Sequence, residues 1–204
     1  MIKNQNYILH RPWADILFET NLPSDILKKM LKISDDVLTD SKRMNWGNNL
    51  AGQIKDELLI SPGILEQEGL LSFFGNMIRE YVYQYEVHKP RIKVDISSMW
   101  IVEQQIGEYN PIHTHTNCDI SAVMYLKIPE YLSSNKPERD DDGAILFIGG
   151  AGMPDKLKTN AVKINPKPGQ FFIFPGHMMH TVYPYRTNDD FARRSISFNS
   201  SFTY

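Results

Sequence analysis

The stretch Pro168-Gly-Gln-Phe-Phe-Ile-Phe-Pro-Gly-His-Met-Met-His180 decides the fold, because a short apolar run lies between two turn signals. Pro168-Gly169 predicts a turn before the run, and Pro175-Gly176 ends it. Four consecutive apolar residues, Phe171 to Phe174, are typical of a buried β-strand. Of the two histidines that follow, we expect His177 in the tight turn to face solvent and His180 to lie at the mouth of the core.

Short runs of the same kind, separated by Gly, Pro, Asn and Asp, fill the chain after Pro90. Polar and apolar residues alternate from Ile92 to Ile96, and extended chain continues from Met99 to Ile106. The later runs are Ile120 to Ile128, Ala144 to Ile148, Ala161 to Ile164, Gln170 to Phe174, His180 to Tyr183 and Arg194 to Thr203. No helical pattern separates these runs, so we predict an antiparallel β-sandwich or small barrel rather than a parallel sheet.

Helical spacing is found before Pro90. Apolar residues recur at three- and four-residue steps after Ser24, which is placed to cap the first turn. A second stripe consists of Leu70, Phe74, Met77, Ile78, Tyr81 and Tyr85. We therefore predict a mainly β, α+β chain that forms one domain over residues 1–204. Residues 1–90 would supply helical support, and residues 91–204 would form the β core.

The composition is that of an ordinary globular protein. The chain has 204 residues, 42% of them hydrophobic and 23% charged, and a net charge of −2. This balance gives no sign of a nucleic-acid or membrane-surface binder, and no apolar run reaches the length of a transmembrane helix. The N-terminus lacks the apolar centre of a signal peptide, and the single cysteine, Cys118, excludes an intrachain disulfide. We expect a soluble protein in the reducing cytoplasm of whatever cell makes it.

Two histidine segments suggest a metal site. His113 and His115 lie two residues apart, so in extended chain they share a face. Asp119 follows a Thr-Asn-Cys bend that can return it to the same side, and His180 follows another strand some 65 residues later. Imidazole with carboxylate suits Fe(II), Mn(II) or Zn(II), and two histidines with one carboxylate leave coordination positions open.

In these segments the sequence resembles the 2-oxoglutarate/Fe(II)-dependent oxygenases, and in particular a small branch from bacteria and phages. The first part of the resemblance is Asn110-Pro-Ile-His113-Thr-His115 followed by Ser121-Ala-Val-Met-Tyr125-Leu-Lys-Ile-Pro129. The second part is Pro166-Lys-Pro-Gly169, Phe171-Phe-Ile-Phe-Pro175, His180-Thr-Val-Tyr-Pro184 and Arg193-Arg-Ser195-Ile-Ser-Phe198-Asn199. Order and spacing agree over about residues 97–200. If a phage encodes the chain, the expected cytoplasm is that of its host.

The resemblance implies a double-stranded β-helix, a jelly-roll or cupin-like barrel, that holds Fe(II) through two histidines and a carboxylate. His180 falls on the family's distal histidine, and Arg193 on the arginine that grips the far carboxylate of 2-oxoglutarate. Ser195 lies on the same strand face and can add a hydrogen bond, as can Tyr125. The implied enzyme is a dioxygenase that uses O2 and 2-oxoglutarate to hydroxylate a C–H bond and releases succinate and CO2. Peptidyl proline is a possible substrate by analogy, and a nucleic acid is not expected.

The proximal ligands depart from the family, because His115 stands where most members have a carboxylate. We therefore consider His113, His115, Asp119 and His180 as metal ligands, and expect that one of them is not bound directly. Gly107, His113-x-His115 and Asp119 also resemble the first cupin motif, so a cupin that does not use 2-oxoglutarate is the alternative. That alternative gives Arg193 no function. A non-catalytic binding module with structural histidines is the third possibility.

Overall fold

The computed structural model describes residues 7–10, 15–85, 91–133, 136, 140–149 and 161–204. It contains eleven strands: β1 (Tyr7–His10), β2 (Leu17–Asn21), β3 (Asp56–Leu59), β4 (Lys93–Gln104), β5 (Asn110–His113), β6 (Ile120–Lys127), β7 (Ile145–Ile148), β8 (Ala161–Ile164), β9 (Gln170–Pro175), β10 (Met179–Val182) and β11 (Arg193–Thr203). The helices are α1 (Ser24–Thr39), α2 (Pro62–Gln67) and α3 (Leu70–Val82). None of the described helices is long and apolar enough to cross a membrane.

The strands form two antiparallel sheets that pack face to face. The major sheet has the order β1-β2-β9-β6-β11-β4-β3, and the minor sheet has the order β5-β10-β7-β8. Strands that are distant in sequence are therefore neighbours, as β9, β6, β11 and β4 are in the middle of the major sheet. This arrangement is the double-stranded β-helix that the family resemblance implies, with helices added before it.

The major sheet is buried on both faces, which explains the unbroken apolar run in β9. Because side chains alternate along a strand, Phe171 and Ile173 pack in the core on the helical side, whereas Phe172 and Phe174 pack in the core between the sheets. Strand β6 divides in the same way, with Met124 towards the helices. A strand with two covered faces needs apolar residues at every position.

The helices cover one face of the major sheet. Phe74, Met77, Ile78 and Tyr81 of α3 are buried there, as the predicted stripe requires. The stripe extends past the helix, because α3 ends at Val82 and Tyr85 lies beyond it. The prediction that Ser24 caps α1 is wrong: the cap residue is Pro23, and no side chain bonds to the free N–H groups at this end.

The N-terminal part of the chain also supplies strands that the sequence pattern did not reveal. Strands β1 and β2 extend the major sheet beyond β9, and β3 forms its other edge beside β4. Residues before Pro90 are thus part of the β structure as well as its helical cover. Strand β3 brings Glu57 to the inner face of the sheet, opposite Val102.

Candidate metal and 2-oxoglutarate site

Three histidines meet between the two sheets. His113 ends β5 and is paired directly with His180 on the neighbouring strand β10. His115 lies two residues beyond His113, and its backbone N–H donates to the carbonyl of Gly176, 2.8 Å away. One ring nitrogen of each histidine lies within 4.8 Å of the others. Among the described residues, no other set of three possible metal-binding side chains comes this close.

Backbone carbonyls orient two of the three rings. Nδ1 of His113 lies 2.7 Å from the carbonyl oxygen of Pro111, and Nδ1 of His180 lies 2.9 Å from that of Met178. Since a carbonyl can only accept, each Nδ1 carries the proton, and each Nε2 keeps its lone pair. The Nε2 atoms of His115 and His180 are 3.3 Å apart. Metalloproteins commonly fix one ring nitrogen of a histidine by a hydrogen bond, so that the other nitrogen can bind a metal.

The surroundings keep all three histidines neutral. Burial lowers the pKa of His180 well below its usual value, and His113 and His115 add to the effect. Burial and the nearby His113 lower the pKa of His115 to about 4, against an opposing effect of Asn199. Burial also lowers the pKa of His113. Neutral imidazoles can bind a cation without first losing a proton.

Asp119 lies apart from this cluster. Its carboxylate accepts a hydrogen bond of 3.1 Å from the backbone N–H of Phe202, and it lines a different cavity together with Asp15 and His177. The prediction for His177 is confirmed, because its side chain is 71% exposed and lies 3.2 Å from the Asp15 carboxylate. Of the four ligand candidates from the sequence, the structure therefore brings together His113, His115 and His180, and leaves Asp119 outside.

Arg193 occupies the same cavity as the histidines and is buried, with 2% of its surface exposed. One guanidinium nitrogen, Nη1, donates to Oε1 of Gln104, and the Nε has no partner in the described part of the chain. Its guanidinium carbon lies 4.8 Å from the ring centre of Tyr125. Among the described residues no carboxylate forms an ion pair with Arg193. A buried guanidinium without an anion is costly, so this arrangement favours an anionic ligand.

The cavity is polar and has unused hydrogen-bonding groups. Its volume is about 140 Å³, roughly ten times what one water molecule requires. Among the described residues, seven buried side-chain atoms have no partner, and five of them belong to residues that line the cavity: Glu57 Oε2, Ser121 Oγ, Tyr125 OH, Arg193 Nε and Asn199 Oδ1. Ser195, the partner predicted for Arg193, also lines it. Buried polar groups are rarely left unpaired, so the cavity has the character of a ligand site.

Sequence reasoning missed several residues of the site. Gln104 accepts a hydrogen bond from Arg193, and Glu57 and Trp100 line the cavity. Strand register is the signal for two of them, because Gln104 is opposite Arg193 and Glu57 is opposite Val102. The sequence did not reveal the pairing of β3 with β4, so it could not identify Glu57.

The chain matches the model of a protein family described as "Putative 2OG-Fe(II) oxygenase" over residues 98–199. This range covers half of the chain and contains all three histidines and Arg193. The chain therefore belongs to the 2OG-Fe(II) oxygenases, which are dioxygenases that use Fe(II) and 2-oxoglutarate. No curated protein matches it significantly. Family membership favours the oxygenase over the cupin alternative, and the bacterial and phage branch stays a prediction.

Solved structures share the fold at low sequence identity. A prolyl-4-hydroxylase from Pseudomonas putida matches with a TM-score of 0.59 and 16% identity, over 90% of this chain and 91% of that one. A Trichoplax adhaerens prolyl hydroxylase, solved with a hypoxia-inducible-factor peptide, matches with 0.58 and 14%, over 91% and 83%. The α-ketoglutarate-dependent epimerase SnoN from nogalamycin biosynthesis matches with 0.59 and 12%, over 92% and 80%. These similarities confirm the double-stranded β-helix.

The histidine cluster fits the iron of this family by its chemistry. Imidazole nitrogen is a suitable donor for Fe(II), the three rings are neutral, and two of them have a fixed proton on the other nitrogen. The buried Arg193 fits a dicarboxylate in the same cavity. The departure from the family is that all three clustered groups are histidines.

Proposed function

We propose that this oxygenase is a hydroxylase of a C–H bond, in which His113, His115 and His180 bind Fe(II) and Arg193 binds 2-oxoglutarate. The observation that carries the proposal is the buried Arg193, which has no ion-pair partner among the described residues and shares one cavity with the histidine cluster. When bound, Fe(II) and 2-oxoglutarate allow O2 to be used for hydroxylation, with one oxygen atom entering the substrate and one entering succinate as CO2 is lost.

The protein's part is to hold its ligands and exclude water. The guanidinium of Arg193 offers a permanent charge and a planar pair of donors for one carboxylate of 2-oxoglutarate. Ser195 follows on the same face of β11, and the buried Tyr125 hydroxyl has no partner among the residues that the structure describes, so both can donate to that carboxylate. Phe174 and Phe147 pack against His180 and make one wall of the site apolar.

The proposed substrate is a peptide or small molecule with an unactivated C–H bond. Two of the proteins with similar structures are prolyl hydroxylases. Peptidyl proline is therefore the first substrate to test, on the basis of analogy in fold alone. Succinate formation measured with and without proline-containing peptides would show whether a peptide couples to turnover.

The assignment of Arg193 can be tested by titrating 2-oxoglutarate into the Fe(II)-loaded protein without oxygen. A weak visible absorption band reports a 2-oxo acid bound to Fe(II). We expect this band in the wild type and expect Arg193→Ala to weaken 2-oxoglutarate binding at least about tenfold, since a hydrogen bond to a charged group is lost. Arg186→Ala, which removes an exposed arginine paired with Asp142, should bind like the wild type. Tight Fe(II) binding without any band would contradict the proposal.

The choice among the metal ligands makes a separate prediction. Asp119→Asn should leave Fe(II) affinity unchanged, because the Asp119 carboxylate is bonded to the Phe202 N–H outside the cluster and asparagine can still accept that bond. His115→Asn should weaken Fe(II) binding at least about tenfold. Competition with a coloured chelator measures both affinities. The reverse result, with loss in Asp119→Asn alone, would show that Asp119 is the third ligand.

A further inference from the structure

Part of the cavity wall is not used by the proposed metal and 2-oxoglutarate site. Besides the histidines, the cavity is lined by Glu57 of β3, Trp100 of β4, Asn110 of β5 and the segment 49–51. Arg193 lies on β11, two strands away from β3 in the major sheet. Among the described residues that line the cavity, Glu57 is the only acid and Arg193 the only permanent cation. These two parts of the wall therefore suit ligand groups of opposite charge.

Strand pairing fixes the position of Glu57 relative to the proposed 2-oxoglutarate site. Glu57 is opposite Val102, Val102 is opposite Ser195, and Ser195 is opposite Tyr125. These four residues form one row across the inner face of the major sheet. Neighbouring strands are about 4.8 Å apart, so Glu57 lies roughly 10 Å from Ser195. That spacing leaves room for a second ligand beside the cosubstrate.

The Glu57 carboxylate is buried without a cationic partner among the described residues. The residue is 1% exposed, its Oε2 has no hydrogen-bond partner, and no cation among the described residues pairs with it. Burial and the nearby Glu108 raise its pKa to about 7. Burying an acid in this way costs free energy, which a cation bound in the cavity would recover.

The backbone at Gly52 lies close to two oxygen acceptors, Oε1 of Glu57 and Oδ1 of Asn110. A Cβ atom on Gly52 would lie 2.7 Å from the first and 2.6 Å from the second. Any side chain at position 52 would therefore crowd these two acceptors. Glycine there avoids this crowding beside two residues that line the cavity, and two such acceptors suit a ligand that donates several hydrogen bonds.

The walls beside Glu57 are apolar and aromatic. Trp100 and Val102 form a buried cluster with Ile54, and Trp46 and Leu50 pack against it. Trp100 also lines the cavity. Indole faces attract cations, and apolar walls strengthen the attraction of a carboxylate for a charged nitrogen. An acid next to a tryptophan is therefore a suitable site for an alkylated cation.

We propose that Glu57, with Trp100 and Asn110, binds a positively charged nitrogen of the primary substrate, an alkylammonium or alkylguanidinium group. The proposal rests on the proposed function for the location of the reacting C–H bond, which lies on the same substrate molecule and nearer to the histidines. A lysine or arginine side chain in a peptide, or a free alkyl amine, carries such a group.

Binding of simple cations tests this assignment without turnover. n-Butylammonium and n-butylguanidinium are titrated into the full chain, with n-butanol as the uncharged probe, and the NMR signals of the tryptophan indole N–H groups are followed. At least one cation should bind at least tenfold more tightly than n-butanol. Glu57→Gln, which keeps the shape and removes the charge, should abolish that preference. Asp56→Asn is the matched control, since Asp56 precedes Glu57 on β3 and pairs with Arg43.

The proposal is overturned if neither cation binds, if n-butanol binds equally well, or if Glu57→Gln keeps the preference. Near-UV circular dichroism should show that Glu57→Gln retains the fold. The absorption band of 2-oxoglutarate with Fe(II) gives an independent measurement on the same variant. A normal band in Glu57→Gln with lost cation binding supports both proposals. A missing band in the wild type would contradict the proposed function and would leave the result on cation binding intact.

Discussion

Arg193 is held in place by a neutral amide. Gln104 is fully buried, and its Nε2 donates to the backbone carbonyls of Glu108 and Tyr183. These bonds fix the amide so that its oxygen accepts from Arg193. The Tyr185 hydroxyl accepts from the backbone N–H of Arg193 and donates to the carbonyl of Gln104. All of these partners are uncharged, so none of them neutralises the positive charge of Arg193. That charge can therefore pair with an anionic ligand.

An acidic side chain placed beside Arg193 should therefore weaken the binding of 2-oxoglutarate. Gln104→Glu puts a carboxylate where the amide oxygen now lies, and this internal anion competes with 2-oxoglutarate. We expect 2-oxoglutarate to bind at least about tenfold more weakly, with Fe(II) affinity retained, in an anaerobic titration. Gln105→Glu adds the same charge at an exposed neighbouring position and should bind normally. Equal affinities of the two variants would show that Arg193 does not bind the cosubstrate.

Sequence reasoning identified Arg193 and Ser195 but not Gln104 or Glu57. The first two belong to an ordered motif on one strand, where alternation alone places them on the same face. Gln104 and Glu57 acquire their positions from strands that are distant in sequence. His115 could be proposed as a ligand, but separating it from Asp119 required the path of the loop between β5 and β6.

Strand β11 gives its two adjacent arginines different surroundings. Arg193 faces the cavity, and Arg194, on the opposite face, is buried against α1. Arg194 contacts Glu103 on β4 with Nε and Nη2, and its Nη1 donates to Ser34 and Asp35 of α1. Side chains alternate along a strand, so Arg194 points away from Arg193, and the position of α1 on that face explains why Arg194 is buried.

Removing Arg194 should destabilise the fold without affecting the site. Arg194→Ala leaves Glu103 largely buried without its partner, so we expect the free energy of unfolding to fall by about 3 kcal/mol in urea denaturation. Lys127→Ala removes a more exposed pair with Asp35 and should cost less than about 1 kcal/mol. Equal losses in the two variants would contradict the account of Arg194 as a buried link between helix and sheet.

The strands that sequence analysis located are those with strong apolar patterns, such as β6 and β9. Strand β3 begins Asp-Glu and has four residues, and β5 contains a proline and a histidine in the same short length. Such segments adopt extended structure because a neighbouring strand pairs with them, since β-propensity depends strongly on context. The core of the fold was therefore predictable, but the edges that complete the site were not.

At the scale of the whole molecule, the two sheets and the helices divide the interior into separate apolar clusters. The larger cluster fills the space between the helices and the major sheet, and a second lies between the sheets next to the cavity. The larger cluster supplies apolar packing away from the ligand site. The histidines lie on the cavity side, where burial makes their charged forms unfavourable.

This burial should make the metal-free protein less stable in mild acid. In the unfolded chain histidine titrates near pH 6.5, whereas the pKa of His115 in the fold is about 4. Between these values the unfolded state binds more protons, so stability is present above pH 6.5 and falls as pH decreases. Between pH 7 and pH 5.5, the effect of His115 should lower the free energy of unfolding by about 1 kcal/mol. Urea denaturation with a chelator present measures this change. His115→Gln should reduce the dependence, and an unchanged dependence in this variant would contradict the prediction.

The most direct test of the central claim is a crystal structure determined without oxygen in the presence of Fe(II) and 2-oxoglutarate. The account predicts one metal ion bound to nitrogen atoms of His113, His115 and His180, with a carboxylate of 2-oxoglutarate paired with Arg193. Iron bound through Asp119, or 2-oxoglutarate bound away from Arg193, would contradict it.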